Sequence, residues 1–146
     1  MATSYDVIYN CFLGKVHDSD LVSISSPSIR EMILRNLLSA SNAKFARLSA
    51  IDLSSYDDTL GQYNNDLGYE EIDILAEGMV WAWYNTKVNN SDLLKNFLNT
   101  SDYSMSAAPS NMLKEVRNTR DEAWASFRNA MYLYSYEHGN IATLSP

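Results

Sequence analysis

Cysteine, proline and glycine are all scarce in this chain: one cysteine, three prolines and five glycines in 146 residues. Cys11 has no second cysteine to join, so no internal disulfide forms, and the composition fits a reducing compartment. Turn-rich all-β folds need more glycine and proline than this, which points to helices. Long apolar runs are also absent. None reaches the roughly 18–20 residues of a membrane span, and the opening Met-Ala-Thr-Ser-Tyr has neither the basic region nor the apolar stretch of a secretion signal. The expectation is a protein made in the cytosol.

Basic residues are missing where acids are dense. Leu48 to Thr86 holds no Lys or Arg, yet contains Asp52, Asp57, Asp58, Asp66, Glu70, Glu71, Asp73 and Glu77, and the whole chain carries a net charge of −7. Sequence-reading nucleic-acid binding needs clustered cations and is disfavoured. Asp52, Asp57, Asp58, Asp66, Glu70 and Glu71 are the candidate acidic face.

What is present is enough for one core. The hydrophobic fraction is 46%, ordinary for a globular chain, and this length buries roughly 68–70% of its unfolded surface. No internal repeat or low-complexity tract divides the chain. The expected organisation is one helical domain, 1–139, with a short extended tail, 140–146.

The apolar spacing sets out the helices. Tyr5, Ile8, Tyr9, Phe12 and Val16 form a stripe that starts near Ser4. A second helix begins at Ser26-Pro27-Ser28, with Pro27 in the first turn and Ser28 with Glu31 as a capping box. It carries Ile29, Ile33, Leu37 and Ala40 on one face, with Leu34, Leu38, Phe45 and Leu48 beside them. Residues 49–68 read as turns and loop, with at most a helical turn over Asp57–Tyr63.

A third helix follows Leu67-Gly68. Its first-turn acids suit the positive end of the dipole. Ile72, Leu75, Ala76, Met79 and Trp83 make one face, and Ile74, Val80 and Trp81 make others apolar, so it belongs in the centre of a bundle. Gly78 within it admits a close neighbour. Asn89-Asn90-Ser91 reads as a break before a short helix with Leu93, Leu94, Phe97 and Leu98, and 99–109 as a polar loop. The last and longest helix starts near Ser110, runs through Met112, Val116, Ala123, Phe127, Ala130, Met131 and Tyr134 with Trp124 alongside, and is capped by Gly139. The fold class is all-α, a bundle of four to five helices.

No chemical motif stands out. There is no glycine-rich phosphate loop, and 57–66 lacks the alternating ligands of a calcium loop. His17 with Asp18, Asp20 and Cys11 lacks a zinc spacing, and the plainer reading is a polar turn. The expectation is therefore no catalytic residues, no cofactor and no metal. The candidate interface residues are Trp81, Tyr84, Arg117, Arg120 and Arg128. Large aromatics and arginine anchor interfaces, but Trp81 and Tyr84 equally suit a core, and the default reading of the arginines is a solvated face with intrahelical pairs.

Several stretches resemble a family of small helical proteins of tailed bacteriophages. They are Tyr5 to Val16, Asp18-Ser19-Asp20-Leu21, Leu38-Ser39-Ala40, Lys44-Phe45, Asp57-Asp58, Leu60-Gly61, Tyr63-Asn64, Asp66-Leu67, Glu70 to Ala76, Met79-Val80-Trp81, Ser91 to Lys95, Phe97, and Leu113, Arg117, Arg120 and Tyr134-Ser135-Tyr136 in the last helix. Trp83-Tyr84-Asn85-Thr86-Lys87 is more aromatic than the family pattern. The resemblance implies a head–tail connector, a neck adaptor in the virion, assembled in the host cytoplasm as a homo-oligomeric ring beneath the portal. Twelve copies would surround the DNA exit channel and let DNA pass without specific binding. The partners would be the portal protein and a downstream neck or tail protein, with no membrane. The other reading of the residues is a small regulatory protein binding a host or phage protein.

Overall fold

The computed structural model describes the backbone of residues 2–16, 26–100 and 107–138, and the side chains of 2–16, 26–89 and 114–138. His17, Asp18, Asp20, the Gly139 cap and the tail 140–146 lie outside the described residues, as do the side chains of Leu93, Leu94, Phe97, Leu98 and Met112. The described chain is all-α in class, with a small sheet. It runs β1 (Thr3–Ser4), α1 (Tyr5–Lys15), α2 (Pro27–Phe45), β2 (Tyr56–Asp57), β3 (Gln62–Tyr63), α3 (Tyr69–Thr100) and α4 (Ala107–Glu137). No described helix is long and apolar enough to cross a membrane.

Each early helix starts on a serine whose side chain accepts an otherwise unpaired backbone N–H. Ser4 caps α1 by accepting from Asp6 N. Ser26 caps α2 by accepting from Ile29 N, with Pro27 in the first turn. The expected Ser28–Glu31 capping box is thus corrected: with Pro27 already helical, Ser28 lies inside the helix. Glu31 instead lies 3.6 Å from Arg35, one turn on. The buried stripe of α2 is Leu34, Leu37, Leu38, Ser41 and Phe45, while Ile29 is exposed.

Two more expectations are corrected. Asn89-Asn90-Ser91 does not break the chain, because α3 runs unbroken over 32 residues. No glycine or proline stands between Met79 and Thr100, and asparagine costs a helix interior well under ~1 kcal/mol. The stretch 99–109 is not all loop: Asn99 and Thr100 end α3, and Ala107-Ala108-Pro109 open α4. Proline fits there because first-turn N–H groups have no partner inside the helix. Four helices result among the described residues.

The loop expected over 49–68 contains a hairpin, not a helical turn. Strands β2 and β3 pair antiparallel with Asp57 opposite Gln62, and β1 pairs antiparallel with the other edge of β3. Local chemistry builds the turn. The Asp57 carboxylate accepts from Thr59 N at 2.9 Å and Leu60 N at 3.1 Å, as turn-forming aspartates do. Gly61 then reverses the chain at φ 67, in the left-handed region that glycine enters without steric cost.

The core lies where α1, α2 and α4 meet α3. Ile8, Phe12, Phe45, Leu53, Leu75, Met79 and Phe127 are almost wholly removed from water. The expected close approach at Gly78 is present. A β-carbon there would lie 2.6 Å from Phe127 Cζ and would also strike Ser41, so only glycine lets α2 and α4 converge on α3. Ser41 uses its hydroxyl at this crossing to donate to Leu75 O at 2.8 Å, which satisfies a polar group that burial would otherwise penalise. α3 and α4 lie antiparallel: Glu70 meets His138, Gly78 meets Phe127, and Trp81 meets Trp124.

Candidate functional site

The aromatic residues of α3 divide. Trp83 is core, 8% exposed. Trp81 and Tyr84 are half-buried and pack against the core. The Trp81 ring lies 5.2 Å from that of Trp124 and 6.3 Å from that of Phe127. The Lys44 ammonium stands 5.9 Å over Trp81 and 5.8 Å over Trp124, within range of attraction by ring faces. Trp81 therefore has most of its contact surface occupied by its own chain.

The arginines lie along one side of α4. Arg117 and Arg128 are exposed and eleven residues apart, three full turns, which puts them in one row. Arg120 is half-buried and pairs with Asp121 at 3.2 Å. Further along the same helix, Tyr132, Leu133 and Tyr136 are 55%, 63% and 66% exposed. Sequence reasoning did not single these three out. Their positions outside the Phe127–Met131–Tyr134 stripe were the available signal.

The acidic residues are more occupied than a plain charged face. Asp52 hydrogen-bonds the hydroxyl and backbone N–H of Ser54, which together hold its carboxyl below the usual range. Asp57 builds the hairpin turn. Asp58 accepts from the Tyr5 hydroxyl at 2.9 Å. Asp66 is exposed, and Glu70 lies 2.7 Å from His138 Nε2. Glu71 is the correction. It is 5% exposed and accepts from Gly68 N at 3.0 Å, so it closes the N-terminus of α3 and does not belong to an outer face. Its third place in the helix, where a glutamate reaches back over the first turn, is the physical reason.

Between the hairpin, α1 and α2 lies a cavity of about 210 Å³, lined by Tyr5, Arg35, Asn36, Leu38, Ser39, Asn42, Tyr56, Asp58 and Tyr63. No expectation had joined these residues, because the hairpin that closes the cavity was read as loop. Tyr63 donates to Asn42 Oδ1 at 2.9 Å, and the Tyr5 and Tyr63 rings meet edge-on at 5.3 Å. Burial, and for Tyr5 also the bond to Asp58, raises both phenols above their ordinary pKa. They keep their protons at neutral pH and can donate hydrogen bonds, but they cannot act as bases there.

At the C-terminal end of α1, Lys15 holds Asp73 at 2.8 Å and Glu77 at 3.1 Å. Burial alone would lower the Lys15 pKa, and the bonds to Asp73 and Glu77 outweigh it, leaving it raised. Cys11, half-buried nearby, has its thiol pushed up by burial, which makes it a poor nucleophile.

Set against protein-family models, curated proteins and solved structures, the chain matches none of them.

Proposed function

We propose that this chain is a non-catalytic structural adaptor of the head–tail connector type, forming a ring beneath a portal and joining it to a downstream neck or tail protein. The observation that carries the proposal is on α4. An exposed Tyr132–Leu133–Tyr136 patch continues from an exposed arginine row, Arg117 and Arg128, on one long helix. An exposed apolar patch bordered by charge is the pattern of a protein-binding surface.

A ring of identical copies needs two different complementary surfaces on each copy. The α4 surface supplies a basic and aromatic one. Exposed Asp52, Asp58, Asp66 and Glu70 supply an acidic one. Buried Glu71 and half-buried Arg120 have smaller parts than their charges suggest. Acidic surface turned to the channel would offer DNA no cations in exchange for its own counterions, so DNA would pass without being held.

Sedimentation and negative-stain images of the purified protein, alone and mixed with portal, test this. Rings, or portal particles bearing an added layer, are expected for the native chain. The pair Arg117→Glu and Arg128→Glu should reduce assembly at least about tenfold, a loss of about 1.4 kcal/mol per contact. A chain that stays a lone monomer and ignores portal would overturn the proposal.

A further inference from the structure

The start of α3 and the end of α4 bring Glu71 and His138, which the adaptor reading does not use, together with Glu70. We propose that Glu70, Glu71 and His138 form a binding site for a divalent first-row metal ion of the zinc class.

One ligand atom from each residue lies within 4.8 Å of the others, although His138 is 67 or 68 positions from the two glutamates. His138 Nε2 and Glu70 Oε2 are 2.7 Å apart. A zinc-class ion with bonds of about 2.0–2.2 Å holds its ligand atoms roughly 3.3–3.6 Å from one another. The His138–Glu70 pair would open by under about 1 Å and the widest separation would close by at most about 1.5 Å to enclose one, within the reach of side-chain rotation.

The charge balance gives a second, independent reason. Glu71 is 95% buried, and its recorded polar partners are neutral: Gly68 N and the Tyr134 hydroxyl. Among the described ion pairs, no lysine or arginine reaches it. Glu70 stands beside it, so two carboxylates share the site, and among the described residues the nearby cationic partner is His138. Buried carboxylates are ordinarily matched by cations or metals. The N-terminus of α3 disfavours a cation, while the C-terminus of α4, where His138 sits, favours one, so the dipoles offset and the carboxylates decide.

The donor set also selects the ion. Calcium and magnesium prefer all-oxygen sites, whereas an imidazole with carboxylates suits zinc, cobalt or manganese. The surroundings hold the ligands in place: Gly68 N fixes one Glu71 oxygen, and Tyr134 stacks on the His138 ring with centroids 3.9 Å apart. Such supporting contacts orient ligands at metal sites. Bound metal would clamp the ends of α3 and α4 together and raise the melting temperature.

Titration calorimetry of the untagged full chain with zinc chloride tests the site, with the visible absorption of the cobalt form as a second readout. One ion per chain is expected, with zinc tighter than calcium or magnesium. Glu70→Gln and His138→Ala should each weaken zinc at least about tenfold and abolish the zinc-dependent rise in melting temperature. Both side chains are at the surface, so circular dichroism should show both variants folded. His17→Ala and Cys11→Ser should bind as the native chain does. The proposal is overturned by absence of saturable zinc binding, by calcium binding as tightly as zinc, by unchanged binding in the Glu70 and His138 variants, or by loss in the His17 or Cys11 variants.

Discussion

At Gly78 three helices meet chiefly by shape. The missing side chain on α3 lets Ser41 of α2 and Phe127 of α4 come in, with the Ser41 bond to Leu75 O as the polar contact there. The segment from Ser49 to Leu67 is held the opposite way. It buries Leu53, Tyr63 and Leu67 but is tied down by polar bonds. Thr3 donates to Asn65 O and accepts from Leu67 N, Asn65 donates to Asp52 O, and Ala50 N donates to Tyr134. Packing at the crossing leaves no room for added volume, while the hairpin side depends on hydrogen bonds and on phenols that keep their protons.

That contrast can be broken first with alkali. The Tyr9 phenol is pushed up to about 12, chiefly by burial, and Tyr5 and Tyr63 are raised as well. A folded-state pKa above the unfolded value near 10 means the contribution is complete below pH 10 and is lost as pH climbs through the folded value. Each such tyrosine adds up to about 1.4 kcal/mol of lost stability per pH unit. Urea melts should be insensitive to these groups up to pH 10 and should weaken steeply from 10 to 12. Tyr9→Phe should flatten the slope, and an unchanged slope would remove Tyr9 from the account.

At the crossing, Phe127→Ala should cost about 3–5 kcal/mol by emptying a fully buried ring site, read as a shift of the urea midpoint at constant slope. Thr3→Val keeps the shape and leaves Leu67 N and Asn65 O without partners. A loss of about 1–3 kcal/mol is expected, and a neutral result would mean water replaces the hydroxyl. Gly78→Ala sharpens the comparison by sign. Overpacking costs about 1–3 kcal/mol, against the ~1 kcal/mol that alanine gains in a helix. Gly14 in α1 is the control, because a β-carbon there meets nothing within 4 Å. Gly14→Ala should stabilise by up to about 1 kcal/mol. Equal responses at the two glycines would refute the tight crossing.

The same division explains how much of the molecule was legible. Apolar periodicity marks a helix directly, so the α1 stripe and Trp83 in the core follow from spacing, and a glycine inside a helix marked the close approach at Gly78. The hairpin left no periodic trace, because its strands are two residues each and the outer edge of β3 pairs with Thr3–Ser4, some sixty residues away. Asp57 and Gly61 were visible as turn formers, but nothing local showed that the flanking residues pair. The break expected at Asn89-Asn90 failed for another reason: weak propensity gave no stop where no proline or glycine enforced one. Glu71 was misjudged because charge suggested surface, while its distance from the helix start made it a cap. As for the candidate interface, residue type identified the arginine row on α4, but exposure, which only the fold supplies, added Tyr132, Leu133 and Tyr136.

Trp81 and Trp124, with ring centroids 5.2 Å apart, have a consequence for the laboratory bench. Indoles at that range share their electronic excitations, so the pair should leave a split band in the far-ultraviolet dichroism and a distinct fluorescence. The junction of α2, α3 and α4 thus carries a built-in optical gauge, and its signal follows any docking event that tilts one helix against another without a dye being attached.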